Sequence, residues 1–228
     1  MEDGRVSVLI AVYDGARYLG EAIDSVLGQT RAPDEVVVVD DGSVDATPEV
    51  IAGYGDRITA IREPHRGNAS ALNRGLAATS GDYVAFLDAD DVWVPDKLVL
   101  QLQILEENED VDAVFGLVKQ FLSADADPSL ARQVTIPSAP QAGVSKTGML
   151  VRRRFLEKVG EFDETRLNGD FTDWYARALE HGLVSRVPDV VVAHRRIHGA
   201  NLGIRRHDRQ WPETLEVLKA SLDRRRGG

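Results

Sequence analysis

At 228 residues, with 43% hydrophobic and 28% charged side chains, the chain has the makeup of one globular domain, which excludes the disordered and fibrous classes. Its formal charge of -10 excludes nonspecific nucleic-acid binding, because that affinity comes from Lys and Arg displacing counterions. It contains no cysteine, so disulfides, zinc-thiolate centres and thiol nucleophiles are ruled out, and a reducing cytoplasm is compatible.

The opening "MEDGRVSVLIAVY" holds an apolar run of about seven residues, too short for a signal sequence or a membrane span. A soluble, cytoplasmic protein is expected. Residues 6–12, "VSVLIAV", are continuously apolar and rich in β-branched side chains, as in a strand buried on both faces of a parallel sheet. Asp14 and Gly15 break the run. Leu19, Ile23, Val26 and Leu27 then recur at helical spacing over 16–27, and "EVVVV" at 35–39 returns to the strand pattern. The rhythm continues with a helix over 47–54, a strand over 58–62, a helix over 69–79 and a strand over 83–87. Such βα repetition predicts a doubly wound α/β sheet.

Pro95 suits a first helical turn, and Leu98, Leu102 and Leu105 mark the buried stripe of a helix reaching about residue 108. A strand is expected over 113–122. The segment 123–146 has weak periodicity and reads as a flexible loop with a short hairpin, not as a linker between domains. After it come "TGMLVRRRFLEKVGEFDE", a helix over 170–181, the apolar "VVVA" before His194 and a last helix over 211–222. The terminal "RRRGG" reads as a frayed, solvated helix end, with peripheral contact to anionic lipid as the alternative.

The chemistry concentrates where strands stop. Asp88, Asp90 and Asp91 follow one apolar run, and Asp40 and Asp41 follow another. Ligands of open α/β sheets sit beyond the carboxyl ends of the strands, so two neighbouring strands would present acids to one crevice. Carboxylates so close together need compensation, and Mg²⁺ or Mn²⁺ supplies it while recruiting phosphate. The competing reading is a set of acids that cap the next helix and shape a turn.

"VSVLIAVYDGARYLGEAIDSVLGQT", "VVVVDDGSVDAT", "GNASALNRGLAATSGDYVAFLDADDVWVPDKL" and "VGEFDE" together resemble the inverting nucleotide-sugar glycosyltransferases of family 2. The resemblance covers roughly residues 5–200. It implies a GT-A fold: a Rossmann-like, mostly parallel central sheet flanked by helices, with a variable C-terminal acceptor-side region. It also implies one domain over 1–228, with 1–110 as the nucleotide-sugar half and 111–228 as the acceptor half. The implied activity is a metal-dependent, hexosyltransferase-like transfer from a nucleoside diphosphate sugar, UDP-type favoured, to an unidentified acceptor hydroxyl, in bacterial-type polysaccharide or glycoconjugate synthesis.

The same resemblance assigns residues. The Ala11 backbone and the Tyr13 ring would contact the base, with Tyr13 as a core aromatic the alternative. Asp41 would read a pyrimidine edge, supported by Asp40. Arg66, Asn73 and Arg74 lie in the segment that closes over base and sugar, although a solvated helix face suits Arg74 as well. The Asp-x-Asp motif falls on Asp88, Ala89 and Asp90, which makes Asp90 the first metal ligand and Asp88 its companion at ribose or metal. His198, in a late loop, would complete the Mn²⁺ or Mg²⁺ site. Arg195 and Arg196 face the diphosphate, an anionic acceptor or solvent. His65, His181, His194 and His207 receive no role.

Inverting transfer also needs a carboxylate to take the acceptor proton. "NGDFTDWYARALEHG" offers Asp170 and Asp173 on one helix face. The acids of similar enzymes are spaced differently, so the assignment stays open between the two. Asp170 is favoured, because Asp173 can pair with Arg177 at i,i+4. Trp174 reads as core packing. A noncatalytic nucleotide-sugar binding module of the same fold is the main alternative function. A nucleotidyltransferase is a weaker one, since "YDGARYLGE" makes a poor triphosphate loop.

Overall fold

A computed structural model of the protein describes residues 4–166, 169–199 and 201. The helix expected over 211–222, the "RRRGG" end and His207 lie outside the described residues. In chain order the elements are β1 (Val6–Val12), α1 (Ala16–Leu27), β2 (Glu35–Asp40), α2 (Thr47–Ala52), a 3₁₀ turn (Gly55–Arg57), β3 (Thr59–Arg62), α3 (Asn68–Leu76), β4 (Tyr83–Asp88), β5 (Val92–Trp93), α4 (Lys97–Glu107), β6 (Ala113–Val114), β7 (Gly116–Leu122), α5 (Leu130–Gln133), β8 (Gln141–Gly143), β9 (Leu150–Arg152), α6 (Arg153–Val159), α7 (Asp170–Glu180), β10 (Ser185–Arg186) and β11 (Val191–Ile197).

Seven strands form the central sheet in the order β10-β6-β9-β4-β1-β2-β3. All its pairings are parallel except those of β9, which runs antiparallel to both β4 and β6. This is the mostly parallel α/β sheet that the sequence predicts. β1 lies inside it because both of its faces are apolar. Val6, Val8, Ile10 and Val12 belong to one buried cluster with Leu19, Ala22, Ile23 and Val26 of α1. Leu9 belongs to the other, with Val37 and Val39 of β2 and Ala71 and Leu72 of α3. Each fully buried aliphatic side chain of this kind contributes about 1.5–3 kcal/mol. Gly75 lets α3 settle on the sheet, since a Cβ there would meet Leu9 Cδ1 at 2.1 Å.

The sequence does not predict the second, four-stranded sheet, β5-β11-β7-β8. The single strand expected over 113–122 breaks at Phe115. β6 joins the central sheet beside β9 and β10, whereas β7 pairs in parallel with β11. The chain therefore changes sheet in mid-run, and both halves remain apolar. The segment 123–146 contains the short α5 as well as β8, which pairs antiparallel with β7. α4 starts at Lys97, so Pro95 precedes the helix and does not lie in its first turn. The second sheet carries β11 back to the end of β4, where the Arg196 N–H meets Asp91.

Candidate active site

β1, β2 and β4 stop at one edge of the central sheet. The register sets Ala11 beside Asp88 and Val12 beside Asp40, so both groups of acids flank the end of β1. The loops beyond are tied together: the Asp14 N–H donates to Ser43 Oγ (2.9 Å), and Asp14 Oδ1 accepts the Val44 N–H (2.8 Å). Asp14 has φ 48°, a left-handed conformation that a short side chain bonded to nearby backbone tolerates. Asp40 accepts the Ser43 N–H (2.8 Å), and its other oxygen faces Arg62 Nε at 3.3 Å without hydrogen-bond geometry.

Asp41 is buried and organises the segment after β3. Its carboxylate accepts the Arg66 N–H (2.7 Å) and the Gly67 N–H (2.9 Å) and lies 2.8 Å from His65 Nδ1. Gly42 makes this approach feasible: it has φ +75°, and a Cβ there would lie 2.6 Å from the His65 nitrogen. Tyr13 is 46% exposed and stacks on the His65 ring with centroids 4.0 Å apart, so it is not a core aromatic. His65, which the sequence leaves without a role, thus joins Tyr13 and Asp41 in one group.

The acids after β4 point to different places. Asp90 Oδ2 lies 2.9 Å from His198 Nε2 and accepts the Asn201 amide (2.9 Å). Asp88 Oδ2 lies 3.1 Å from the Thr147 hydroxyl, and Ala89 follows it as the middle residue of the motif. Asp91 turns inward, where its oxygens meet the Arg196 N–H (2.9 Å) and the Thr147 hydroxyl (3.2 Å). Burial, and then the charges of Asp90 and Asp88, push Asp91 well above the usual carboxylate range.

Among the described residues, no group of three or more His, Asp or Glu side chains is assembled as a metal centre. The donor set nevertheless fits Mn²⁺ or Mg²⁺. Asp90 and His198 already touch, Asp88 lies two residues before Asp90, and such ions fill the rest of their shell with phosphate oxygens and water.

Asp170 opens α7 and is largely buried. Its Oδ2 accepts the Asn68 amide (2.5 Å) and faces Lys146 Nζ (3.6 Å), while Oδ1 accepts the Phe171 N–H (2.7 Å). Burial pushes its pKa up, but Lys146, the Phe171 N–H and Asn68 outweigh that and hold it below the usual carboxylate range. Asp173 is buried and locked to Arg177 Nε (2.9 Å), with Arg166 at 3.9 Å. Trp174 is buried in the core, as expected.

Of four further assigned residues, Asn73, Arg66 and Arg196 are committed within the protein. Asn73 clamps the "VGEFDE" segment, donating to the Phe162 carbonyl (2.9 Å) and accepting the Phe162 N–H (2.9 Å). Arg66 reaches Glu164 at 3.3 Å from an exposed position, and Arg74 is exposed on α3. Arg196 is buried, not solvated: it donates to the Asp90 carbonyl (3.0 Å) and pairs with Glu21 (2.5 Å) between the rings of Tyr18 and Phe121. The sequence reading misses Asn68, Lys146, Thr147 and Asn201. Their partners are distant in the chain, and only a folded register reveals the contacts.

The family model for "Glycosyl transferase family 2" matches residues 7–160, more than half of the chain. An uncharacterized glycosyltransferase of Nostoc sp. is 35% identical over 214 residues, covering 86% of this chain and 66% of the relative. The succinoglycan biosynthesis protein ExoO of Rhizobium meliloti is 33% identical over 197 residues, covering 78% of this chain and 56% of that protein. The chain thus spans about two thirds or less of the length of these relatives. Among solved structures, S. aureus TarS in complex with UDP-GlcNAc superposes with a TM-score of 0.69 at 20% identity, over 86% of this chain and 60% of TarS. The mannosyltransferase PcManGT from Pyrobaculum calidifontis, in complex with GDP-Man and Mn²⁺, gives 0.64 at 25% identity, over 84% of this chain and 56% of its own. These likenesses establish the GT-A fold.

Proposed function

The chain belongs to glycosyl transferase family 2, and from that premise we propose that it moves a sugar from a nucleoside diphosphate sugar to an acceptor hydroxyl, inverting the anomeric centre. The observation that carries this reading is the 2.9 Å contact between Asp90 and His198, which joins the segment after β4 to the loop after β11. Residues 1–110 would hold the donor and the later segments the acceptor. The base would lie against the exposed Tyr13 ring and the Ala11 backbone, with Asp41 and Asp40 shaping that pocket. Arg66 and Arg74, both exposed at its rim, would offset phosphate charge. Arg196, already paired with Glu21, would act by supporting the Asp90 backbone.

Asp90 and His198, with Asp88, would hold Mn²⁺ or Mg²⁺, which when bound supplies positive charge to a leaving diphosphate. Asp170 would accept the proton of the acceptor hydroxyl as its oxygen bonds to the anomeric carbon, and the diphosphate would leave from the opposite face. An ionised, half-enclosed carboxylate suits that step. Asp173, held by two arginines, would support the helix. A UDP-type donor is favoured by the Asp41 assignment, and a saccharide or glycoconjugate acceptor by the relationship to ExoO, whose name places it in succinoglycan synthesis. The same proposal places the reaction in the cytoplasm. No helix among the described residues is long and apolar enough to cross a membrane.

Incubation with UDP- and GDP-sugars, Mn²⁺ and a panel of saccharide acceptors, read by mass spectrometry, tests the proposal. The expected product has the anomeric configuration opposite to the donor's. Nucleotide binding without donor turnover across the panel would instead favour a noncatalytic binding module.

A further inference from the structure

A buried cation separates the two acid groups of the cleft. Lys146 sits on the turn leading into β9 with its side chain only 10% exposed, and Nζ lies 3.4 Å from Asp88 Oδ1 and 3.6 Å from Asp170 Oδ2. Burial alone would push this ammonium's pKa down, but Asp170 and then Asp88 reverse the effect and hold it above the ordinary lysine range. Lys97 provides an internal contrast. It is equally buried but bonds only to neutral groups, Gln101 Oε1 (2.6 Å) and the Met149 carbonyl (3.2 Å), and burial pushes it well below that range.

The backbone that carries Lys146 is fixed from behind. Trp93 Nε1 donates to the Thr147 carbonyl (2.9 Å), Gln101 Nε2 to the Gly148 carbonyl (2.7 Å), and the Met149 N–H closes the turn onto the Lys146 carbonyl (2.9 Å). A short, anchored turn therefore delivers one charge between two elements far apart in sequence. Asp170 has about four lone-pair sites. The Asn68 amide engages one of them on Oδ2 and the Phe171 N–H one on Oδ1, while Lys146 faces Oδ2 as a charge at 3.6 Å.

We propose that Lys146 is a positioning residue for the transfer reaction, fixing the Asp170 carboxylate opposite the β4 acids so that proton acceptor and donor site keep one spacing. This inference rests on the transferase reading. Among the described residues, the groups facing Asp170 are Lys146 from the turn, Asn68 from α3 and, beyond Lys146, Asp88 from β4. On its own helix, Asp173 is neutralised by Arg177 and Arg166.

The experiment follows the Asp170 side-chain carboxyl by carbon-13 NMR across pH, with the signal assigned by its loss in Asp170→Asn. Lys146→Met should raise its titration midpoint by about one unit, and Lys146→Arg should leave it near the wild-type value. If Lys146→Met fails to fold, Lys146→Gln replaces it with the same expectation. In the transfer assay, Lys146→Met should lower kcat by about 10²-fold with donor KM within about threefold, and Lys146→Arg should recover most of the loss. A wild-type protein that transfers while Lys146→Met retains both its kcat and the Asp170 midpoint overturns this role alone. A wild-type protein that transfers nothing overturns the transferase reading, and this role with it.

Discussion

Asp170 and Asp173 stand three residues apart on one helix, yet their substitutions should have opposite signatures. Asp170→Asn should lower transfer by about 10²–10⁴-fold, the usual worth of a general base, with nucleotide binding nearly unchanged; Lys146 keeps Asp88 as a partner, so the melting temperature should fall by less than in Asp173→Asn. Asp173→Asn breaks a buried ion pair, so it should cost about 3 kcal/mol and lower the melting temperature by roughly 6–12 °C. Circular-dichroism melts and initial rates on both variants separate the two roles; equal rate losses would refute the assignment. The depressed pKa of Asp170 also fixes the direction of pH dependence. Such a group stays ionised above its folded value, and whatever it contributes to stability or rate is lost only as pH falls through that value. The Asp170 carboxyl itself should therefore titrate below the ordinary aspartate range, which carbon-13 NMR of the wild-type protein checks. Residue types and spacing made the Asp170 and Asp173 pair legible in the sequence. Lys146 was not legible, because a lysine in a weakly periodic loop gives no sign that two carboxylates from other elements will close around it.

At the scale of elements, Glu35 joins three segments at the end of the sheet remote from the cleft. Its Oε1 accepts the Ser7 hydroxyl (2.5 Å), the Ser80 N–H (2.5 Å) and the Gly81 N–H (2.9 Å), pinning the start of β1 to the turn before β4. Burial raises the Glu35 pKa, but these hydrogen bonds outweigh it and hold the group below the ordinary glutamate range. Its contribution is therefore present above about pH 4.5 and lost as pH falls through the folded value. Glu35→Ala should cost about 1–3 kcal/mol in urea denaturation at pH 7 and progressively less in acid, where the parent also loses the bonds. A cost that does not change with pH would show that the carboxylate's charge is irrelevant. The strands this acid ties together were plain in the sequence, since β1, β2 and β4 are buried on both faces and read as unbroken apolar runs. The second sheet was hidden by its brevity. β5 has two residues, and β7 continues β6 without a change of pattern, so periodicity could not show where the chain crosses between sheets.

For the whole molecule, the formal charge of -10 sets the central electrostatic problem, because the proposed donor carries a diphosphate. Among the described residues, Arg66, Arg196 and Lys146 are already paired and Arg74 is exposed, so the positive charge these four offer is small beside the acids at the ends of β2 and β4. A ligand that binds only the native state stabilises it by about 2.7 kcal/mol at a hundredfold excess over Kd, or roughly 5–10 °C for a chain of this size. UDP or a UDP-sugar should produce a rise of that size with Mn²⁺ present and much less in chelator. Asp90→Asn should erase the difference between the two conditions, because it weakens the carboxylate that meets His198. Salt adds an independent control. Without the ion, like charges repel, so added monovalent salt should slightly improve weak nucleotide binding by screening the repulsion, whereas the Mn²⁺-dependent part should weaken as charge attraction is screened. A thermal shift of equal size with and without Mn²⁺, unchanged in Asp90→Asn, would mean that the basic rim and the Tyr13–His65 pair bind the nucleotide unaided, and that the acids after β4 serve the fold instead of the donor.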